Sequence, residues 1–244
     1  MCTGAAAGRR YASAMGTAYH QFCPVAKAME LLDERWTMLV VRELVAGSTR
    51  FNDLRRGVPR MNPTLLSKRL QQLVRAGLVD RKADGTDVRY VLTEAGLELQ
   101  AVVEALGTWG IRWIGNLGDE DLDPKLLLWD MHRRINLEDL PPGRTVVEFR
   151  FRDVAAGAHN WWLVLTREAA DVCDSDPGHE VDVTVTGTLR ALTSVWRGDL
   201  RWGDAIRAGD LAVEGRQTLR RAFPTWFALS AFAVVSRPRA SIAT

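Results

Sequence analysis

Cysteine is scarce in this 244-residue chain: Cys2, Cys23 and Cys173 are too few and too scattered for a disulfide framework or for the C-x2-C spacing of a zinc site. Long apolar runs are missing too. No stretch approaches the roughly 18 residues that a membrane span requires. The first residues, MCTGAAAGRRYASAMG, lack the apolar segment of a secretory signal. These absences point to a soluble protein of a reducing cytoplasm with no membrane partner. His132, His159 and His179 show neither metal-ligand spacing nor a neighbouring nucleophile, and Asp174, Asp176, Glu180 and Asp182 read as the border of a loop. No Gly-rich phosphate loop occurs. The expectation is therefore a protein that is not an enzyme and carries no cofactor or metal.

A further absence is local. Between Met61 and Val79, in MNPTLLSKRLQQLVRAGLV, there is no Asp or Glu. The net charge of +2 hides an asymmetry around this stretch. Residues 1–118 hold 16 basic and 11 acidic side chains, a net of +5, and the remainder holds 16 and 19, a net of −3. Residues 50–89 alone hold 10 basic and 4 acidic side chains. A basic first half suits a polyanion, and a second half of opposite balance suits another task. The length allows two domains, and 47% hydrophobic with 25% charged residues is the composition of folded protein.

Residues 1–18 read as a flexible arm. In CPVAKAMELLDERW, Pro24 suits a first helical turn, and Val25, Ala28, Met29 and Leu32 share a face. WTMLVVRELVAG gives a second helix ending at Gly47, and TRFNDLRRGVP a short third one with Phe51 and Leu54 inward. In the acid-free stretch Asn62 is a good N-cap and Pro63 a good first residue. Leu66, Leu70 and Leu73 fall on one face, with Thr64, Ser67, Lys68, Gln71, Gln72 and Arg75 opposite and Arg69 on the border. GLVDRKADGTDVRYVLT then reads as a hairpin turning at Asp84-Gly85. A long helix from Thr93 to about Asn116 carries Leu99, Val102, Val103, Leu106, Trp109, Trp113 and Ile114. So broad an apolar stripe is usually buried against a second copy.

Three short helices, a basic-faced fourth and a hairpin make the order of a winged helix-turn-helix. Short polar donors at the start of a groove-sized helix reach base edges, while Lys and Arg neutralise phosphates. The candidate DNA contacts are Arg60, Asn62, Thr64, Ser67, Lys68, Arg69 and Gln71, with Arg81, Lys82 and Arg89 on the hairpin. Arg69 also fits an internal ion pair. A merely solvated helix face is the competing reading; the ordered helices and the basic window weigh against it.

Cys23-Pro24, Arg35-Trp36-Thr37, RFNDLRRGVP, LLSKRLQQL, AGLV and YVLTEAG, in that order over about residues 20–115, resemble the HxlR family of winged-helix transcription regulators. The hairpin is shorter than that family's usual wing and lacks its prolines. The resemblance implies a homodimer on a roughly palindromic double-stranded operator, with the acid-free helix as recognition helix. Some relatives use a cysteine at the position of Cys23 as an oxidant or electrophile sensor, and a thiol at a helix N-terminus suits that chemistry. The competing reading is a small side chain packing the first helix.

The stretch NLGDEDLDP is acidic and turn-rich, the best domain boundary. Beyond it, strands TVVEFRFR, NWWLVLT and VDVTVTG, two helices, DLAVEG and a last helix bent at Pro224 read as an antiparallel sheet covered by helices. The fold class expected is thus α+β, with a DNA-binding and dimerisation domain at 19–117 and an α/β sandwich at 119–238. VDVTVTGTLRALTSVWRGDLRWGDAIRAGDLAVEGRQTLRRAF resembles the sterol carrier protein type 2 fold. That implies a cavity for a small hydrophobic or aromatic effector, for which Trp129, Phe149, Trp161, Leu163, Trp196 and Trp226 are the candidate lining. The function expected is an effector-controlled repressor; the alternative is a redox regulator acting through Cys23, with the second domain as a dimerisation platform.

Overall fold

In a computed structural model that describes residues 18–114, 117–155 and 157–238, Pro24 stands in the first turn of α1 (Pro24–Leu32), as its fixed φ favours. The expected arm lies almost wholly outside the described residues. On α1 the apolar face stays largely uncovered: Val25 is 69% and Met29 39% exposed. The buried side chain is Glu30, held by Lys27 Nζ at 2.9 Å and the Tyr19 amide at 3.0 Å. Trp36 then takes a left-handed conformation, φ 81°, to turn the chain into α2 (Thr37–Val45). Next come α3 (Phe51–Gly57), α4 (Pro63–Arg75), the hairpin β1 (Val79–Asp84) and β2 (Asp87–Leu92), and α5 (Glu94–Trp113).

The helices of this first unit close over Val40, Val41, Leu54, Leu66, Leu70 and Val79, each no more than 1% exposed. A buried carboxylate sits beside this core. Glu43 accepts from Arg42 Nη2 at 2.9 Å and Ser48 Oγ at 3.2 Å, and a Cβ at Gly57 would coincide with its carboxylate, so a larger residue there must displace that buried group.

The junction of hairpin and α5 is tighter still. Thr93 Oγ1 donates to Gly77 O at 2.7 Å and accepts from the Gly96 amide at 3.2 Å, and so caps α5. A Cβ on Gly96 would lie 2.1 Å from Leu78 O, backbone that cannot step aside.

By compactness the chain divides at Gly107 and Thr108, inside α5, so that this helix contributes residues to both units. The second unit is a five-stranded sheet in the order β5-β4-β3-β6-β7, from β3 (Thr145–Phe151), β4 (Asn160–Leu165), β5 (Ala170–Cys173), β6 (Val183–Gly187) and β7 (Leu211–Gly215). The sheet is mixed, which refines the antiparallel expectation: β3 pairs antiparallel with β4 but parallel with β6. Alternation sends Val147, Phe149 and Phe151 of β3 to one face, in register with Leu163 and Trp161 on β4 and with Val183 and Val185 on β6.

That face belongs to one continuous core with residues of α6 (Pro124–His132), α7 (Leu189–Trp196), α8 (Trp202–Ala208) and α9 (Gln217–Ala222). Asp123 caps α6 and Thr188 caps α7. At Pro224 the last helix does not bend and continue; it stops in a 3-10 turn, Phe223–Thr225. No helix among the described residues is long and apolar enough to cross a membrane.

Gly96→Ala should lower stability by about 2 kcal/mol, the usual scale of forced overpacking against backbone. In a thermal melt that corresponds to a fall of roughly 8–16 °C in the transition of the first unit. An unchanged melt would show that α5 can shift off Leu78 without cost.

Candidate nucleic-acid interface

Helix α4 starts on Asn62, whose Oδ1 accepts the Thr64 amide at 2.8 Å, with Pro63 in the first turn. That oxygen is committed to the cap. Leu66 and Leu70 are fully buried and Leu73 nearly so. At about 2 kcal/mol for each buried leucine, this stripe fixes the helix on the domain. On the opposite side, Thr64, Lys68, Gln71 and Arg75 lie within about 60° of one another. All four are exposed, with half-buried Ser67 at their edge, and Arg60 is exposed just before the helix. The acid-free sequence thus becomes an acid-free outward ridge.

Arg69 is a correction to the set of contacts. It is buried, with its side chain 10% exposed, and forms an ion pair with Glu34. Its Nε donates to Arg35 O at 3.2 Å and its Nη1 to Gln72 Oε1 at 2.7 Å. About 60° around the helix separates it from Leu66, which places it beside the leucine stripe. A guanidinium spent on these partners is an internal tie of α4 to the turn before α2. It is withdrawn from the outward ridge of α4.

The hairpin turns through Gly85 and Thr86, one residue later than expected, with Gly85 at φ 55° and the strands closing at Asp84 and Asp87. Glycine first with positive φ is the type II′ pattern of two-residue hairpins. The register separates the three hairpin cations. Lys82 lies opposite Arg89, whereas Arg81 lies opposite Tyr90 and so on the other face. All three are exposed. Arg89 Nε donates to Asp87 at 2.8 Å, and Arg50 Nε does so at 3.0 Å. These arginine contacts, that of Arg50 foremost, hold the Asp87 carboxyl at about 2. Sequence reasoning missed Arg50 and left Arg75 out of the contact set. Arg75 was legible from its position on the outward ridge; Arg50 joins the hairpin only through a two-residue pairing with β2.

Cys23 is half-buried at the N-cap of α1, and its carbonyl accepts the Lys27 amide at 3.0 Å. Along α5, Val102, Leu106, Trp109 and Trp113 are 42–61% exposed and fall within about 60° on one side, while Leu99 and Val103 pack against the first unit's core. In the second unit Trp129, Phe149, Trp161, Leu163, Trp196 and Trp226 belong to the same core cluster. Phe149, Leu163 and Trp226 are 0% exposed, so these three border no water-sized void. Among the described residues, no group of three or more His, Cys, Asp or Glu is placed to hold a metal ion.

Comparison with known proteins matches both halves. A model described as HxlR-like helix-turn-helix matches residues 31–117, and one described as the SCP-2 sterol transfer family matches residues 133–224. An uncharacterized HTH-type transcriptional regulator of Mycobacterium tuberculosis is 45% identical over 95 residues, which cover 37% of this chain and 58% of that protein. The chain thus spans less than two thirds of that relative. The regulator YvaP of Bacillus subtilis is 35% identical over 98 residues, covering 38% of this chain and 91% of YvaP. The quinone-bound YodB of B. subtilis superposes with a TM-score of 0.33 at 33% identity, covering 36% of this chain and 97% of that one.

Two neighbours on α4 should respond oppositely to truncation. Lys68→Ala should leave the melt unchanged, weaken duplex binding and reduce the slope of log K against log salt by about 0.9, one phosphate's worth. Arg69→Ala should instead cost about 2 kcal/mol of stability, because Glu34 and Arg35 O lose their partner. Equal melts for both variants would contradict the inward assignment of Arg69.

Proposed function

The chain belongs to the HxlR-like helix-turn-helix family of transcriptional regulators, and on that premise we propose a homodimeric repressor whose second unit binds a small apolar or aromatic effector. The observation that carries the DNA-reading assignment is the α4 ridge: Thr64, Ser67, Lys68 and Gln71 outward, three leucines inward, and no acid on the helix. Thr64 and Ser67 are short and stand in the first two turns, where base edges of the major groove are within reach. Lys68, Arg60 and Arg75 flank them with charge for the phosphates.

Dimerisation is supported by the stripe on α5. Four large apolar side chains on one side of a helix are costly to leave in water, and a second copy is the partner that yields two recognition helices for a palindromic site. Effector binding is supported by the match to the SCP-2 family and by two unpaired donors. The indole Nε1 groups of Trp202 and Trp226 are buried without a hydrogen-bond acceptor, and both rings pack edge-on against Phe223, at 5.4 and 5.6 Å between centroids. A buried N–H without an acceptor costs about 1–3 kcal/mol. An entering carbonyl or hydroxyl oxygen would recover that energy once the aromatic cluster opens. Because α5 contributes to both units, an effector that prefers one setting of this helix by about 1–3 kcal/mol would change operator affinity some 5- to 150-fold. Cys23 supports a second reading, electrophile response, through its half-exposed position at a helix N-terminus.

Trp109→Glu should turn a dimer into a monomer by light scattering and abolish tight operator binding, while the first unit still melts cooperatively. A variant that stays dimeric would remove α5 from the interface.

For the effector, 2-acetylnaphthalene should bind the second unit about 10-fold more tightly than 2-ethylnaphthalene, the value of one satisfied donor, and should change operator affinity at least 5-fold. Tight ligand binding with unchanged operator affinity would refute the coupling. If a quinone that alkylates Cys23 shifts operator affinity while neither naphthalene does, the second reading replaces the first.

A further inference from the structure

The hairpin carries a charge arrangement that α4 does not need. Thr49 and Arg50 run beside β2 as a third, two-residue strand: the Tyr90 amide donates to Thr49 O at 2.7 Å, and Arg50 is the antiparallel bridge partner of Arg89. On its other side Arg89 lies opposite Lys82. Directly opposed residues project from the same face of a sheet, so Lys82, Arg89 and Arg50 form a transverse row of three cations at steps of about 5 Å. Asp87, two residues before Arg89, shares that face, with Asp84 across from it at the hairpin's end.

Like charges set opposite one another across strands repel, and Asp87 offsets this in the free protein. Its two oxygens divide between two arginines: Arg50 reaches Oδ1 with Nε at 3.0 Å and Oδ2 with Nη2 at 3.4 Å, and Arg89 Nε reaches Oδ2 at 2.8 Å. Two acceptor oxygens on one atom, each meeting a guanidinium N–H, is also what a DNA phosphodiester offers. The row is open to such a ligand, since the side chains of Arg50, Arg89 and Asp87 are 55%, 51% and 38% exposed.

We propose that Lys82, Arg89 and Arg50 form a phosphate-binding site on the wing, and that Asp87 is its internal occupant. A backbone phosphate takes over the arginine N–H groups when the protein docks on DNA, and Asp87 turns to solvent. Because every duplex presents phosphates, the competition with Asp87 lowers affinity for all sequences alike. Sequence-dependent contacts of α4 then account for a larger share of binding. The inference rests on the DNA-binding reading above.

The test is fluorescence anisotropy of a random-sequence 20-base-pair duplex between 50 and 200 mM salt, with melts of each variant. Asp87→Asn should tighten binding about 3- to 10-fold and steepen the salt slope by about one unit, and Arg50→Ala should weaken binding and flatten the slope by about 0.9. Arg50→Ala should cost more in the Asp87→Asn background than in the wild type, because the competitor is gone. Unchanged or weaker binding by an Asp87→Asn protein that melts like the wild type would overturn the proposal. Should Asp87→Asn lower the melt, an unaltered slope for Arg50→Ala alone would overturn it. A wild-type protein that binds no duplex at all would instead overturn the DNA-binding reading.

Discussion

The guanidinium of Arg69 is the tie between the leucine-faced helix α4 and the turn before α2. It sits at the edge of the leucine stripe of α4, buried, and is paired with Glu34, the Arg35 carbonyl and Gln72. Burying a charge is favourable only when its hydrogen-bonding capacity is met, and two of the partners that meet it, Glu34 and the Arg35 carbonyl, stand in the turn between α1 and α2. That turn is itself constrained, because Trp36 is held at positive φ with the Arg35 guanidinium 5.4 Å from its ring. Leucine burial is non-directional; the planar fork of Arg69 adds fixed bond directions that tie α4 to that turn.

The same division between holding and reaching runs through the hairpin. Its inner face, Val79 with Tyr90 and Leu92 around it, belongs to the core, and its outer face carries Lys82 and Arg89, while Arg81 projects on the inner side beyond Val79. The helix α5, locked at its start by Thr93 and by the absence of a side chain on Gly96, passes out of that core with its apolar stripe exposed. The second unit shows the opposite economy. Its sheet and helices enclose a core rich in aromatic side chains, and within it the indole N–H groups of Trp202 and Trp226 are buried without an acceptor.

Much of this was legible in the sequence because it is local. The cap at Asn62, the stop at Gly47, the leucine period and the start of the long helix at Thr93 all depend on residues within a turn or two of one another. What was not legible depends on distant pairings. Arg69 looked ambiguous because its partner, Glu34, lies 35 positions away. The hairpin's three cations looked like one cluster until register placed Arg81 on the other face. Arg50 looked like a helix-start residue, and only its bridge to Arg89 brings it to the wing. In the second unit β3 and β6 pair in parallel across an intervening hairpin, for which alternation within either strand gives no sign. The short β5, Ala-Asp-Val-Cys, went unnoticed because a four-residue edge strand carries too little pattern. For the six aromatic and aliphatic residues of the expected pocket, burial was legible, but closure around three of them was not.

The account's central claim is that α4 reads base edges. Selection of bound duplexes from a randomised library tests it most directly, with the wild type compared with Ser67→Ala and Gln71→Ala. The account predicts a two-fold symmetric motif for the wild type, with half-sites about one helical turn apart. Each variant should relax preference at one or two positions per half-site while phosphate contacts keep it bound. Enrichment of no motif, or of the same motif with the same preferences by all three proteins, would contradict it.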